Sequence, residues 1–265
     1  MGYTNWLTCA VLCLIVLREF VDERKSSGEK MSNEIMSNET KKADPTAIGI
    51  FAYGFSLFVL SLYAAGAFPW SESILMIAPA LAFGGVFLLI ASVMQYNAGN
   101  TFGATAFAVY SAFFLTFGVA HIGLELGWAG FTGVSVGHMI GLMALAFVFM
   151  TFIFFIGSLR MDAAHALMLF FLFLVFMLYA IPLLSLNAAG TTTLFGAWSG
   201  AKPNPSLLAA GYVGLIDCIF TTWIAAAVVI NERWEKAGFK GPIPLFPLGK
   251  GRFQKTTHSP SPSRH

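Results

Sequence analysis

The chain has 265 residues, of which 57% are hydrophobic and only 11% charged, where a soluble domain carries about 25% charged residues; it is therefore an integral membrane protein. Its formal net charge of +2 is too small to suggest a nucleic-acid partner. Cys9, Cys13 and Cys218 lie in apolar surroundings and follow no disulfide or metal-ligand spacing, so they read as inert free thiols.

Residues 1–43 are expected to form a disordered extension with one short apolar segment. Trp6–Leu17 is apolar for only about a dozen residues, against the roughly 20 that a membrane helix needs. No basic residue precedes it, as a secretory signal would require, and Trp6 breaks the myristoylation pattern. Arg18–Asp44 has the charge-rich composition of a disordered stretch. Met31 and Met36 are each followed by Ser-Asn-Glu, and one of them is the expected native start. Residues 1–30 would then be upstream sequence or a loose interfacial anchor.

Residues 44–250 hold six stretches long and apolar enough to span a bilayer: Ala47–Gly66, Ile74–Met94, Thr101–Leu124, Val136–Ile156, Ala164–Leu184 and Leu207–Ile230. The turns between them are rich in Gly, Pro, Ser and Asn, and strand alternation is missing. The expected fold is an all-α membrane protein, a six-transmembrane-helix bundle. Gly49, Gly54, Gly84, Gly85, Gly211 and Gly214 would let helices approach closely. Lys41 and Lys42 precede the first span, Arg160 follows the fourth, and Arg233, Lys236 and Lys240 follow the sixth, while the opposite turns hold only Lys202. By the positive-inside rule both termini are cytoplasmic. Residues 251–265 are expected to be a disordered cytoplasmic tail.

Helix ends supply the first candidate sites. Asp44 can N-cap the first helix, with Pro45 at the first helical position, and Asn100 or Thr101 can cap the third. The free N–H groups there serve either as ordinary capped ends or as anion sites. Ionisable groups inside spans supply the second. Asp217 lies about two turns into the sixth span and reads as a structural or interfacial residue or as a proton site. His121 and Glu125, spaced i,i+4, read as a polar rim or a titrating pair. Asp162 and His165, beside Arg160, belong with the cytoplasmic rim.

The run Gly99-Asn100-Thr101-Phe102-Gly103-Ala104-Thr105-Ala106-Phe107 carries no charge and alternates small with aromatic residues. It resembles the signature of the acetate uptake transporter family, the succinate–acetate permeases. Asp44-Pro45-Thr46-Ala47-Ile48-Gly49-Ile50 resembles the family's entry to its first helix. Phe152–Arg160 resembles its fourth-helix exit, and Asn231-Glu232 with Phe246-Pro247-Leu248-Gly249-Lys250 its C-terminal end.

The resemblance implies uptake of acetate and similar short carboxylates, including succinate, across the plasma membrane by a homo-hexamer with one pathway per subunit. It implies a constriction at Tyr53, Tyr110 and Leu172, and a substrate-binding motif drawn from Asn100, Thr101 and Thr105 with Asp44, Pro45 and Gly49. Asp44 replaces the family's Asn and would repel an anion. Tyr53 stands where Phe is frequent, adding a hydroxyl that could wet the gate or bond the carboxylate. Gln95 and Val228 stand where relatives often carry Glu, so those proton roles are not carried over. Asp217, His121 and Glu125 are the candidates for a proton link.

No Lys lies inside a span to hold retinal, the His, Cys and carboxylate residues are scattered rather than clustered for a metal, and no Gly-x-Ser-x-Gly, His-Glu-x-x-His or phosphate-loop pattern occurs. No enzyme activity, cofactor or metal is expected. A non-coupled channel for small solutes, or a membrane acetate sensor or assembly subunit without transport, are the alternatives to a proton-coupled transporter.

Overall fold

The computed structural model describes residues 43–69, 72, 74–185, 204–246 and 248. The chain divides into two units, Met1–Ala43 and Asp44–His265. The expectations for the N-terminal extension, its start at Met31 or Met36 included, and for the 251–265 tail fall outside the described residues.

Among the described residues six helices are long and apolar enough to cross a membrane: α1 Thr46–Ala64, α2 Ile74–Asn97, α3 Thr101–Glu125, α4 Gly133–Ser158, α5 Ala163–Leu184 and α6 Pro205–Lys236. They match the six expected stretches, and no strand occurs among the described residues. α6 runs past the expected end at Ile230 to Lys236. Its 32 residues measure about 48 Å at the α-helical rise, more than the ~30 Å hydrocarbon core, so the polar turns from Asn231 onward continue the helix beyond it.

Local side chains fix where the helices begin. Asn100 Oδ1 accepts from the Gly103 N–H at 3.0 Å to start α3. Thr132 and Ser135 bond reciprocally before α4. Asp162 Oδ1 accepts from the His165 N–H at 3.0 Å ahead of α5, and Asn204 accepts from Ser206 with Pro205 in the first position of α6. At the start of α1 the Pro45 backbone is already helical, and the Asp44 carboxylate accepts from the Thr46 N–H at 2.9 Å, the bond that an N-cap side chain makes.

Pro79 lies inside α2, where it offers no N–H, and the helix widens to π-type turns over Ala80–Phe87. Neighbouring hydroxyls stitch this stretch in place. Ser56 on α1 donates to the Pro79 carbonyl at 3.3 Å, and Ser111 on α3 donates to the Gly85 carbonyl at 2.8 Å.

Helices adjacent in sequence pack on one another, and α6 returns to pack on α1. That last contact requires Gly211, where a Cβ would lie 2.3 Å from the Ala65 backbone nitrogen. Large apolar side chains such as Val93, Leu142, Phe149 and Ile153 point outward, as lipid-facing helices permit. Beyond α6 the chain folds back. Asn231 bonds both backbone groups of Ile243, Trp223 donates to the Pro244 carbonyl, and the Phe246 carbonyl accepts from the Ala163 N–H at the start of α5. Asn231 and Phe246, 15 residues apart, thus anchor the two ends of one returning segment.

Candidate translocation site

A cavity of about 60 Å³ lies where the starts of α1, α3 and α5 meet the end of α2. A water needs roughly 10–15 Å³ of such space, so the cavity has room for a few waters or one small organic solute. Its polar lining comes from Thr46, Gln95, Asn100 and His165 at one end and from the Tyr53 and Tyr110 rings at the other; Ile50, Phe107, Met168 and Leu169 line the sides. The polar end is a chain of hydrogen bonds. Asn100 Nδ2 donates to Gln95 Oε1 at 2.9 Å, and Gln95 Nε2 donates to Thr46 Oγ1 at 2.7 Å. Three helix ends are thereby held together.

Further into the bundle lies a second, apolar cavity of about 20 Å³, lined by Leu57, Leu60, Phe113, Val175, Phe176 and Tyr179 among others. Tyr53, Tyr110 and Leu172 line both cavities and form the partition between them. All three are nearly inaccessible. The two tyrosine rings sit 5.8 Å apart, and Phe147 and Phe176 pack behind Tyr110.

The hydroxyls of the partition are turned into the protein. Tyr53 donates to Asp217 Oδ2 on α6 at 2.5 Å, and Tyr110 donates to Thr151 Oγ1 on α4 at 3.1 Å. The Tyr53 hydroxyl, for which wetting of the gate and a bond to the carboxylate were both open, has its proton engaged by Asp217. Asp217 is wholly buried, its Oδ1 has no hydrogen-bond partner among the described residues, and it lines neither cavity.

The motif residues separate by helix face. Gly103, Ala106, Phe107 and Tyr110 recur at three- and four-residue spacing and face the cavity, whereas Thr101 and Thr105, four apart, fall on an exposed face. Asn100 stays in the lining. Asp44 is exposed and Pro45 buried, both outside the lining, and Gly49 sits behind it, where a Cβ would lie 2.1 Å from the Phe107 ring. His121 is buried with Nδ1 2.9 Å from the Phe117 carbonyl, Glu125 is exposed, and neither lines the cavities.

Asp162 and His165, expected at the cytoplasmic rim, are both buried, and His165 lines the larger cavity. His165 Nδ1 lies 2.8 Å from Asp162 Oδ2. Burial pushes the Asp162 carboxyl up, but the His165 side chain and the His165 and Ala164 N–H groups outweigh it and hold the group below its ordinary value. The Asp-x-x-His spacing at a helix start was the available signal. Gln95 and Thr46 gave none, because their bonds cross between helices.

Residues 27–240 match the model of the GPR1/FUN34/yaaH family. Acetate permease A of Emericella nidulans is 29% identical over 82% of this chain and 72% of its own length. The succinate-acetate/proton symporter SatP of Escherichia coli strain K12 is 31% identical over 74% of this chain and 94% of its own. The solved structure of the bacterial acetate channel SatP superimposes with a TM-score of 0.64 at 25% identity, covering 77% of this chain and 99% of that one. With six membrane-length helices, a helical fold shared with that channel and a family match over most of its length, the chain is a multi-pass membrane protein of the GPR1/FUN34/yaaH family.

Proposed function

We propose that the chain is a plasma-membrane transporter for acetate and related short carboxylates, working as a homo-hexamer with one pathway through each six-helix bundle. The partition of Tyr53, Tyr110 and Leu172 between two cavities carries this reading. A polar antechamber followed by a narrow apolar wall suits a solute with a carboxyl head and a short alkyl tail. The names of the relatives, a permease, a symporter and a channel, support transport and not catalysis.

Asn100 and the hydrogen-bonded chain it starts would receive the carboxyl group. Pro45 and Gly49 would shape the entry, with Asp44 holding the start of α1. The Lys/Arg pattern favours cytoplasmic termini and places the larger cavity on the cytoplasmic side.

Protons are the proposed coupled partner. A bare carboxylate at an apolar wall lacks its hydration, and the inside-negative potential opposes anion entry by about 2.3 kcal/mol per charge per 100 mV. Of Asp217, His121 and Glu125, Asp217 has the strongest support, because Tyr53 joins it to the partition. A non-coupled channel is the second reading, favoured by the likeness to a solved acetate channel.

Labelled acetate uptake into proteoliposomes, with a pH gradient imposed and the potential clamped, tests these readings. Accumulation above equilibrium that a protonophore abolishes supports coupled transport. Equilibration without accumulation supports the channel. Absence of flux for acetate and succinate overturns both.

A further inference from the structure

We infer that His165, oriented by Asp162, is a substrate-binding residue that receives the carboxyl group in the larger cavity. This assignment rests on the carboxylate-transport reading above and adds a residue to it.

Each lining hydroxyl and carboxamide already makes a hydrogen bond within the protein, so Asn100 has one Nδ2 hydrogen left for a carboxyl group. Tyr53 and Tyr110 donate to Asp217 and Thr151, and Asn100, Gln95 and Thr46 bond in series. His165 is the one lining residue with an ionisable nitrogen, it is only 7% exposed, and its Nε2 makes no hydrogen bond among the described residues. Met161, Met168 and Leu169 line the same cavity and offer an apolar slot for a short alkyl tail.

Asp162 decides which nitrogen faces the ligand. Its Oδ2 takes the His165 Nδ1 and its Oδ1 takes the His165 backbone N–H, so one carboxylate grips both ends of the same residue. The adjoining Ala163 N–H is held by the Phe246 carbonyl of the returning segment. An ionised Asp162 requires the proton on Nδ1, which leaves Nε2 as the ligand-facing nitrogen.

That arrangement handles acid and anion alike. Neutral Nε2 accepts the O–H of a carboxylic acid. When the proton moves along that bond, the O–H breaks, an N–H forms on Nε2, and a carboxylate is left bonded to an imidazolium that Asp162 flanks. The total charge does not change. Tyr53 and Tyr110 are the other titratable groups of the lining, and Arg160 lies on the same short connection as Asp162.

The test pairs flux with a binding signal, using the full chain in lipid or detergent. In His165→Gln, KM for acetate should rise about tenfold, the size of a lost charge-assisted hydrogen bond. Asp162→Asn keeps a capping side chain but loses the charge; it should alter the ring nitrogen signature of His165 and raise KM by less, with the maximal rate kept. In the unmutated protein, titration with acetate should shift the His165 ring 15N resonances, assigned by their loss in H165Q or their change in D162N. Flux in the unmutated protein with unchanged KM in H165Q, or with ring resonances indifferent to acetate, overturns the role of His165 and leaves the transport reading standing. A ring that responds without any flux supports the binding role and overturns transport. Neither signal overturns both. Should H165Q fail to fold, D162N and the titration decide.

Discussion

The Tyr53 hydroxyl donates a 2.5 Å hydrogen bond to Asp217 Oδ2, tying α1 to α6 at the level of the partition between the two cavities. Both groups are buried, and Asp217 keeps its other oxygen without a partner among the described residues. Removing one member strands the other. Tyr53→Phe should therefore destabilise the folded protein by about 1–3 kcal/mol, the cost of an unsatisfied buried polar group. Replacing Asp217 as well, in Tyr53→Phe with Asp217→Val, should restore much of that loss, since swapping both partners for apolar groups is close to neutral. Reversible unfolding of the two single variants and the double variant in detergent measures the coupling. Additive losses would mean that the bond carries no energy of its own.

Leu172 completes the partition from α5 and is 2% exposed. Leu172→Ala removes the aliphatic part of a wall whose other members are aromatic rings, and should join the two cavities. The expected outcome is uptake of bulkier acids such as lactate or succinate relative to acetate, measured as competition against labelled acetate. A loss of about 2–5 kcal/mol in stability accompanies a core Leu→Ala change, so uptake is compared per folded protein. An unchanged range of competing acids would exclude Leu172 from the selectivity wall.

The spans were legible because each is a nearly unbroken apolar run of membrane length. The end of α6 was less so. There the helix continues outside the hydrocarbon on polar residues, and a Glu232–Lys236 pair at i,i+4 supports it, a feature that apolar periodicity does not register. Tyr53, Tyr110 and Leu172 were reachable only through family resemblance, since aromatic and Leu side chains fill this chain. The Tyr53–Asp217 bond was not legible, because nothing local in the sequence reveals a partner 164 residues away. Thr101 and Thr105 entered the expected motif through the family resemblance, and their four-residue spacing sets them on one face and Ala106, Phe107 and Tyr110 on another. That His165 lines a cavity was not legible either, because it depends on how α5 packs against the other helices.

Asp162 gives a pH signature outside the spans. Its carboxyl is held below the ordinary value of about 3.9 by the His165 side chain and two backbone N–H groups, against the opposing effect of burial. A group with a depressed folded value stabilises the fold above its unfolded value, and the contribution is lost as acid protonates it. Asp162→Ala should therefore cost about 1 kcal/mol at neutral pH through the lost cap. The gap to the unmutated protein should close as pH falls below about 4, and Asp162→Asn, which keeps the cap but not the charge, should show a smaller gap that closes over the same range. Unfolding midpoints from pH 7 down to the acid limit of the folded state check this. A pH-independent gap for the Ala variant would mean that the carboxylate charge is immaterial to the cap.

Two glycines separate effects on the pathway from effects on the fold. At Gly49 an added Cβ meets the far edge of the Phe107 ring at 2.1 Å, and that ring lines the larger cavity. The ring can swing, and the space it can swing into is the cavity. Gly49→Ala should therefore lower acetate flux while most of the protein still folds, with a stability loss of about 1–3 kcal/mol from overpacking. At Gly211 the same methyl group meets the Ala65 backbone nitrogen at 2.3 Å. Backbone cannot rotate aside, so α6 must lift from α1. Gly211→Ala should lower the yield of folded protein before it alters flux per folded molecule. Size-exclusion yield, unfolding midpoint and flux normalised to folded protein are the three readouts. If Gly49→Ala transports normally, Phe107 does not bound the route; if Gly211→Ala folds as well as the unmutated protein, the α1–α6 contact is looser than its geometry implies.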